Sequence, residues 1–563
     1  MESIERFIAE QLTAWEVPGC AVAAVRNGKV ELAGGWGLRD REAGLPVSRD
    51  TLFAIGSTTK AFTATTIGAL VDEDLLDWDR PLRDYVPEVR LHDPVVSDRL
   101  TITDLLSHRS GLPRHDLTWV GQPGRSRAEL VRALRFLPLS KDLRQQFQYC
   151  NLGYLVAGYV VEALTGVPWE DFARGRLFEP LGMRRTNLSV EEMLADDDHA
   201  TAYTRRKGEI VSVPQRPLPA MAPAGAINSS AADMARWLLA VLRGGQLDGT
   251  AVMSPATAER QLRPHMLIPG SGEIPGLSAY AYGLGWLNGR YREHAIAMHD
   301  GGIDGFTTHC MLLPDDGIGV VVLTNTSASM MHLTVACRVL DELLGAEPAD
   351  VFGYLKPRFD AAMAGAREAK AARRIVAGAR PPRPLAEYAG RYVHPGYGTL
   401  TISQNGGVLE PVLGTMTLSL AHRHYETFDL AWSEMGDEPA SFPLTFLSDP
   451  DGVVNALTVH LEPLVEPLRF DRRPDEQGPE VLSRLCGGYA MGPVEVVVAL
   501  RGERALTITA PGAPPLGLEP LGGLRFGVQG QPAITAEFEL GEDGAVTRLV
   551  AQPFGIFLPK NAS

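Results

Sequence analysis

Lysine is scarce in this chain of 563 residues, where arginine supplies all but seven of the 53 basic side chains. Basic residues of either kind are outnumbered by 68 acidic ones, and the formal net charge is −15. This acidic balance excludes nucleic acids and anionic membrane surfaces from the partners that we expect. Each of the few lysines is of interest, because a desolvated lysine can lose its proton whereas an arginine cannot.

Other features are missing as well. No uninterrupted apolar run is long enough to cross a bilayer. The N-terminal stretch "MESIERFIAEQLTAWEVPG" predicts an amphipathic helix and lacks the basic and then apolar pattern of a signal peptide. The five cysteines are odd in number and widely scattered, which fits reduced thiols better than disulfides. We therefore expect a cytoplasmic protein without a membrane partner.

The first 345 residues combine strand and helix patterns. Two apolar runs flank Asn27-Gly28 in "CAVAAVRNGKVELAGGWG", and "CMLLPDDGIGVVVLTNTS" predicts a second hairpin. Helical spacing dominates between them, for example in "NLGYLVAGYVVEALTG" and "SAADMARWLLAVLRGG". Strands near both ends with helices between them predict an α+β domain, residues 1–345, whose two ends complete one antiparallel sheet.

The rest of the chain divides into a linker and an internal repeat. Residues 346–384 are predicted to hold a linker helix, because the Ala-rich, basic stretch "REAKAARRIVAGARPPRP" ends in prolines. A basic helix can also bind a membrane or a partner, but the acidic protein around it favours a solvated connection. "LAEYAGRY" returns 97 residues later as "LSRLCGGY", and "DGVVNAL" returns as "DGAVTRL". The repeat predicts two small all-β, barrel-like domains, residues 385–475 and 476–563.

The first indication of catalytic chemistry is "FAIGSTTKAF", residues 53–62, which contains Ser57 and Lys60. The two residues are three apart, so both side chains can leave one face of a helix's first turn. A serine hydroxyl is a poor nucleophile until a base takes its proton, and a buried amine with a lowered pKa is such a base. Ser57 also fits a helix N-cap and Lys60 a surface cation, so this motif alone leaves both interpretations open.

Two later motifs favour the catalytic interpretation of Ser57 and Lys60. "QYCNLGY" places Tyr149 and Asn151 at the start of a helical pattern, and "MHDGGIDGF" places His299, Gly301 and Gly302 at the edge of a strand. In this order and at these separations, the three motifs resemble the signature of the serine β-lactamase and penicillin-binding-protein superfamily. The likeness is greatest to class C β-lactamases and to the related D-aminopeptidases and esterases. The C-terminal units resemble the β-barrel domains appended to some D-stereospecific peptidases of this group.

The resemblance implies a role for each motif residue. Ser57 would be the nucleophile that forms an acyl-enzyme, and Lys60 and Tyr149 would share the work of the general base. Asn151 would bind the substrate amide or hold Lys60. His299 would hydrogen-bond into the Tyr149–Ser57 network from the strand side. The implied fold is an antiparallel sheet flanked by helices, with a helical subdomain.

The resemblance also assigns backbone groups of the site. The N–H groups of Ser57 and Gly302 would form the oxyanion hole. Glycine at 301 and 302 would let a substrate backbone lie close to the strand. The sequence departs from the β-lactamases at His299, where they carry lysine, and at Cys150, where a small residue is usual. The histidine offers no permanent cation to a substrate carboxylate, which disfavours β-lactam hydrolysis.

These observations predict a serine hydrolase that cleaves amide or ester bonds of small molecules or short peptides, with D-configured or N-terminal residues as first candidates. A biosynthetic transacylase or cyclase and a β-lactamase of the same fold remain alternatives, and the complete motif set disfavours a non-catalytic binding protein. We expect no metal and no cofactor, because His422 and His424 have no third ligand in view. The C-terminal β domains could also join copies of the chain into a homo-oligomer.

Overall fold

A computed structural model describes residues 2–561 except 271–273, 328, 372–375, 377, 433–439, 475–476, 503–504, 542 and 554. One nine-stranded antiparallel sheet organises the N-terminal region. The strand Gly19–Arg26 lies between Lys29–Asp40 and Ile318–Thr324, so both ends of the region complete the sheet. The α+β prediction is thereby confirmed. In spatial order the strands are Met266–Leu267, Leu277–Tyr282, Leu287–Tyr291, His294–Ile303, Phe306–Leu313, Ile318–Thr324, Gly19–Arg26, Lys29–Asp40 and Leu45–Pro46.

The first predicted hairpin turns at Asn27-Gly28. Their φ angles are 49° and 79°, a left-handed pair that asparagine and glycine adopt readily and that matches the twist of the flanking strands. The second predicted hairpin turns through Pro314–Asp316 and Gly317, which has a φ of 62°. Turn chemistry is local, which is why both hairpins could be predicted from short stretches of sequence.

Helices cover both faces of the sheet. Glu2–Trp15 and Met331–Leu344 pack on one face, where their apolar residues share a core with the strands. Ala231–Leu242 packs on the other face, and its Trp237 ring stacks on Phe62 at a centroid distance of 3.9 Å. Phe62 belongs to Thr59–Asp72, whose residues from Thr59 to Leu70 are all buried. A helix buried on every side provides a rigid base for the residues at its start.

The helical subdomain contains the other long helix of the site, Asn151–Thr165. Its shorter α-helices are Pro94–Arg99, Ile102–Leu106, Arg127–Ala133, Trp169–Ala173, Glu179–Leu181, Val190–Leu194, Ala222–Gly225 and Pro255–Leu262. Short 3-10 turns cover Gly56–Thr58, Leu82–Asp84, Asp116–Thr118 and Leu134–Phe136, and Arg174–Phe178 is a π-helical turn. Three two-stranded ladders complete it: Phe53–Ala54 with Asn228–Ser229, Tyr203–Arg206 with Glu209–Ser212, and Gln246–Leu247 with Thr250–Ala251.

The predicted linker contains the helix Val351–Ala371. Phe359 on this helix packs edge-on against Trp15 at 5.6 Å, so its first part lies against the N-terminal region. Residues 372–375 and 377 of the basic stretch "REAKAARRIVAGARPPRP" lie outside the described residues. Within the described part of the chain, no helix combines the length and the apolarity needed to span a membrane.

Two all-β units follow, as the repeat predicted. A 3-10 turn, Leu385–Glu387, precedes the first unit, a nine-stranded near-barrel sheet that we call the first barrel. Its strands are Gly390–His394, Gly398–Asn405, Val408–Leu413, Met416–Thr417, Ser419–His424, Thr427–Trp432, Ala440–Ser448, Val454–Val459 and Leu468–Arg473. A helix, Pro479–Leu485, precedes the second barrel, whose strands are Gly487–Met491, Val494–Arg501, Ala505–Thr509, Leu516–Gly522, Arg525–Val528, Gln531–Leu540, Val546–Gln552 and Ile556–Pro559. A bridge between Tyr489 and Lys560 joins the ends of the second barrel.

The internal repeat has a structural counterpart in a buried tyrosine. Tyr392 donates its hydroxyl hydrogen bond to the Tyr388 carbonyl at 2.8 Å, and Tyr489 donates to the Leu485 carbonyl at 2.7 Å. In both cases the acceptor is four residues earlier, so the matched sequences make the same contact. This bond ties the entry segment of each barrel to its first strand.

The two barrels differ in how they contact the rest of the chain. The buried apolar residues of the first barrel form one continuous core with those of the N-terminal region, whereas the second barrel has a core of its own. The side chain of Met416 packs against Gly121, and the side chain of Leu137 packs against Gly396. The first barrel is therefore docked on the helical subdomain. The exact boundaries at 345, 384 and 475 stay predictions.

Candidate active site

Ser57 lies in the 3-10 turn Gly56–Thr58 that leads into the buried helix Thr59–Asp72. Gly56 has a φ of 51°, and a Cβ there would lie 2.7 Å from the backbone nitrogen of Gly302. Only glycine allows this turn to approach the strand so closely. Ser57 is not the N-cap of either helix, because those positions are Ile55 and Thr58.

Lys60 is fully buried, and its amine points back at Ser57. Its Nζ lies 2.9 Å from the Ser57 Oγ, 2.9 Å from the Asn151 Oδ1 and 2.8 Å from the Ala224 carbonyl oxygen. The pKa of Lys60 is lowered to about 7, mainly by burial and next by the nearby Arg114 cation, while Asp116 opposes this shift. The interpretation of Lys60 as a surface cation does not fit this position.

This arrangement can perform proton transfer. A charged ammonium donates three hydrogen bonds, whereas the neutral amine donates two and keeps a lone pair for the Ser57 hydroxyl proton. With a pKa near neutrality, both forms of Lys60 are accessible at physiological pH. The Asn151 and Ala224 oxygens remain acceptors for the neutral amine and fix its orientation.

Tyr149 and Asn151 are held together at the start of the helix Asn151–Thr165. The Lys60 Nζ lies 4.9 Å from the centroid of the Tyr149 ring. Burial raises the pKa of Tyr149, and hydrogen bonding with Ser57 works in the opposite direction. Asn151 is the first residue of its helix, and its amide contacts Lys60 rather than capping the backbone.

His299 reaches the cleft from the strand His294–Ile303. Its Nδ1 lies 2.6 Å from the Asp300 carbonyl oxygen, which can only accept, so Nδ1 carries the proton. Its Nε2 therefore accepts from the Tyr282 hydroxyl at 2.9 Å. Burial lowers the pKa of His299 to about 4, so the imidazole is neutral. The resemblance implied that His299 would hydrogen-bond into the Tyr149–Ser57 network. In the structure its hydrogen bonds go to Tyr282 and the backbone instead, and its ring lies 6.3 Å from that of Tyr149.

The two glycines of the third motif face different surroundings. A Cβ on Gly301 would lie 1.9 Å from the Ile55 carbonyl oxygen, so this glycine allows the strand to pack on the Ser57 turn. A Cβ on Gly302 would meet nothing within 4 Å, and this residue is exposed. Gly302 therefore borders open space beside Ser57, whereas Gly301 contacts protein backbone.

Sequence reasoning did not place three further residues in this cleft. Tyr282 belongs to no motif, and Arg114 and Asp116 lie at the end of "LLSHRSGLPRHD". The Arg114 Nε donates to Asp116 Oδ2 at 2.6 Å, and its guanidinium lies 5.3 Å from the Tyr149 ring centroid. Asp116 Oδ1 accepts from the Asn151 Nδ2 at 3.1 Å. Residues 105–116 also resemble the family in sequence, but that resemblance does not say where their side chains point.

An apolar cavity of about 250 Å³ adjoins the site. It lies next to Ile303, directly after the glycines of the third motif, and next to Gly225, directly after the Ala224 acceptor of Lys60. Arg216 and Asp304 form an ion pair in its wall, with the Arg216 Nε 2.9 Å from Asp304 Oδ1. Most of the lining is apolar and includes Ala54, Leu188, Val190, Pro217, Leu218 and Phe306.

Comparison with protein families agrees with this geometry. The family model described as Beta-lactamase matches residues 4–342, and a domain of unknown function, DUF3471, matches residues 375–472. The unguisins hydrolase of Aspergillus campestris is 34% identical over 418 residues, which cover 70% of this chain and 76% of that protein. The second barrel lies outside both family models.

Solved structures share the fold. The octameric penicillin-binding protein homologue from Pyrococcus abyssi is 24% identical, with a TM-score of 0.56, covering 83% of this chain and 99% of that one. The D-amino acid amidase from Ochrobactrum anthropi SV3, in complex with L-phenylalanine amide, is 25% identical. Its TM-score is 0.51, and the match covers 61% of this chain and 97% of the amidase.

Proposed function

Because the chain belongs to the Beta-lactamase family and is a serine hydrolase of that fold, we propose that it cleaves amide or ester bonds of small peptide-like substrates through an acyl-Ser57 intermediate. The observation that carries this proposal is the buried Lys60 amine, 2.9 Å from the Ser57 Oγ, with a pKa of about 7. A serine beside a base that reaches its neutral form at physiological pH is an activated nucleophile.

The reaction proceeds in two steps. Lys60 takes the Ser57 proton as the Oγ attacks the substrate carbonyl, and the oxyanion accepts hydrogen bonds from the backbone N–H groups of Ser57 and Gly302. Lys60 and Tyr149 return the proton to the leaving amine or alcohol, and the bond from the carbonyl carbon to that group breaks. Water then attacks the acyl carbonyl while Lys60 takes its proton, the bond from the carbonyl carbon to the Ser57 Oγ breaks, and Lys60 and Tyr149 return that proton to Ser57.

His299 acts in this scheme as a neutral group. Its Nε2 accepts from Tyr282, so it holds the aromatic wall of the cleft and offers no cation to a substrate carboxylate. A lysine at this position would attract such a carboxylate. We therefore propose substrates without a free carboxylate beside the scissile bond, and slow acylation by penicillins.

The substrate class is proposed from the cavity and the relatives. The apolar cavity beside Gly225 and Ile303 fits an apolar side chain of a peptide better than a charged group. The relatives named unguisins hydrolase and D-amino acid amidase support a peptide or amide with a D-configured residue as the first substrate to test. We also propose cleavage at an N-terminal residue, on the basis of the relative named D-amino acid amidase.

We also propose that the chain forms a homo-oligomer through the second barrel. The strand Val494–Arg501 carries several exposed apolar side chains, namely Val494, Val497 and Leu500. Val494 and Leu500 leave one face of the strand and Val497 leaves the other, so a second copy of the chain can contact an apolar side chain on either face.

The acyl-enzyme is tested by intact-protein mass spectrometry after brief exposure to D-aminoacyl amides, p-nitrophenyl esters and a fluorophosphonate probe. The wild type is expected to gain one acyl or phosphonyl adduct, located at Ser57 by peptide mapping. Ser57→Ala is expected to lose both the adduct and turnover, while Ser212→Ala, at an exposed serine of the ladder between Tyr203–Arg206 and Glu209–Ser212, retains both. An adduct at another serine, or turnover by Ser57→Ala, would overturn the mechanism.

A further inference from the structure

One loop of the helical subdomain lies between the catalytic cleft and the first barrel. We call residues 114–122 the bridging loop. On the cleft side, Arg114 and Asp116 pair at 2.6 Å, and Asp116 accepts from the Asn151 amide at 3.1 Å. Since Asn151 in turn accepts from Lys60 at 2.9 Å, two hydrogen bonds through one residue connect the loop to the candidate base.

On its other side, the bridging loop is held by the first barrel. The backbone N–H of His115 donates to Glu462 Oε2 at 2.9 Å, and the His115 Nδ1 lies 2.7 Å from the Tyr397 hydroxyl. The Gln122 Nε2 donates to the Tyr397 carbonyl oxygen at 2.8 Å. His115, Tyr397 and Glu462 are all buried, so water does not compete for these bonds.

The protonation of His115 follows from its partners. Its Nε2 lies 2.9 Å from the Pro138 carbonyl oxygen, which can only accept, so Nε2 carries the proton. The Nδ1 then accepts from the Tyr397 hydroxyl, and burial lowers the pKa of His115, which keeps the ring neutral. The Nδ1 of the neutral His115 ring therefore needs a hydrogen-bond donor, and the Tyr397 hydroxyl is that donor.

The backbone of His115 explains why the loop needs to be held. Its φ and ψ are 46° and 34°, a left-handed conformation that residues with a side chain rarely adopt. This turn lets Arg114 and Asp116 reach the cleft while the imidazole between them points into the barrel. Contacts from the barrel stabilise a conformation that the loop alone would not favour.

We infer that the first barrel, which matches a domain of unknown function, positions Arg114 and Asp116 for catalysis through Tyr397 and Glu462. This inference rests on the proposed function, because it concerns the same Lys60 and Asn151. Tyr397 and Glu462 are positioning residues, since neither reaches the reacting atoms. The barrel thus contributes to the reaction without supplying a catalytic group.

The two loop charges act on the candidate base in opposite directions. Arg114 lowers the pKa of Lys60 by more than Asp116 raises it. Release of the loop removes both charges from fixed positions, and the net result is a higher pKa for Lys60. The groups that face Lys60 from all sides are Ser57, His108, Arg114, Asp116, Tyr149, Cys150, Asn151, Tyr154 and His299.

The test compares the pH profiles of kcat/KM of full-length variants. The substrate is an ester or a D-aminoacyl anilide that the wild type hydrolyses. Tyr397→Phe removes the donor to His115, and Glu462→Met removes the acceptor for its N–H. We expect the acid limb to move to higher pH in both, so that activity falls near pH 6 and changes little near pH 9, and each pKa unit of displacement would correspond to a tenfold loss on the acid side. Glu462→Gln keeps an acceptor oxygen and is expected to restore the wild-type profile.

Tyr392→Phe is the matched control, because Tyr392 is an equally buried hydroxyl of the same barrel that bonds only within it. It is expected to keep the wild-type profile even if its melting temperature falls. The inference would be overturned if Tyr397→Phe kept the wild-type pH profile, or if Tyr392→Phe moved the acid limb as far as Tyr397→Phe does. Neither result would affect the proposed function, because Ser57 would remain essential. Turnover by Ser57→Ala would instead overturn the proposed function.

Discussion

A lysine is stable in the buried position of Lys60 because its amine finds three acceptors there, on Ser57, Asn151 and Ala224. Arginine would keep the positive charge but stays protonated at every pH that a cell visits, so it cannot accept the Ser57 proton. We expect Lys60→Arg to lower kcat/KM by about 10³-fold, as for removal of a positioned base. Lys141→Arg, at an exposed lysine, is the control and should retain activity. An arginine variant at position 60 within tenfold of the wild type would contradict the role of a base.

The pH dependence of the wild type follows from the same residue. Because burial lowers the pKa of Lys60 to about 7, the amine is neutral above that pH and protonated below it. We therefore expect kcat/KM to rise as the pH increases through about 7 and then to level off. A profile that stays flat between about pH 5 and 8, measured with an uncharged ester, would mean that Lys60 is not the base.

Residues within short motifs could be predicted, whereas those defined by distant contacts could not. The spacing of Ser57 and Lys60 is a local property of a helix start, so their proximity could be expected from the sequence. Asp116 contacts Asn151 across 35 positions, and Tyr282 contacts His299 across one intervening strand. Such pairs depend on how elements pack, and hydrophobic periodicity carries no information about them.

At the scale of elements, the site depends on the close approach of the Ser57 turn and the strand His294–Ile303. A Cβ on Gly301 would lie 1.9 Å from the Ile55 carbonyl oxygen, which is backbone and cannot rotate away. We expect Gly301→Ala to push the strand from the turn, to lower the melting temperature and to reduce acylation by about 10²-fold, as when an oxyanion donor is lost.

Gly302→Ala provides the comparison for this prediction. A Cβ on Gly302 meets nothing within 4 Å, so the melting temperature should not change. The added methyl group would instead border the substrate and raise KM. Equal melting temperatures for both variants, measured by calorimetry, would show that the strand does not need glycine at position 301.

The sequence predicted strands and hairpins better than it predicted the start of the helix at Ser57. Asn27-Gly28 is a turn signal that acts within two residues. The 3-10 turn at Gly56–Thr58 depends instead on the strand that passes beside Gly56, a contact between residues 56 and 302. The sequence therefore predicted a plain helix start where tertiary packing imposes a tighter turn.

At the scale of the whole molecule, the repeat predicted two similar barrels but not their different positions. Both alternate apolar and polar residues, and this pattern describes only the interior of each barrel. Contacts such as Leu137 with Gly396 join the first barrel to the helical subdomain, and they depend on shape rather than on periodicity. Because of these contacts, a chain that ends at residue 345 would expose apolar surface and release the bridging loop.

The second barrel differs from the first in that its core is not shared with the N-terminal region, so it can be removed. Its buried residues form a core that is separate from the remainder of the protein. A chain that ends at residue 474 is therefore expected to fold, to be labelled at Ser57 and to keep the kcat/KM of the full chain for a small ester. Without the exposed apolar side chains of Val494–Arg501, it should also have a smaller mass in sedimentation or light scattering if the full chain is oligomeric. A folded chain of 474 residues that no longer reacts at Ser57 would show that the second barrel contributes to the site, and an unchanged oligomeric mass would exclude it as the interface.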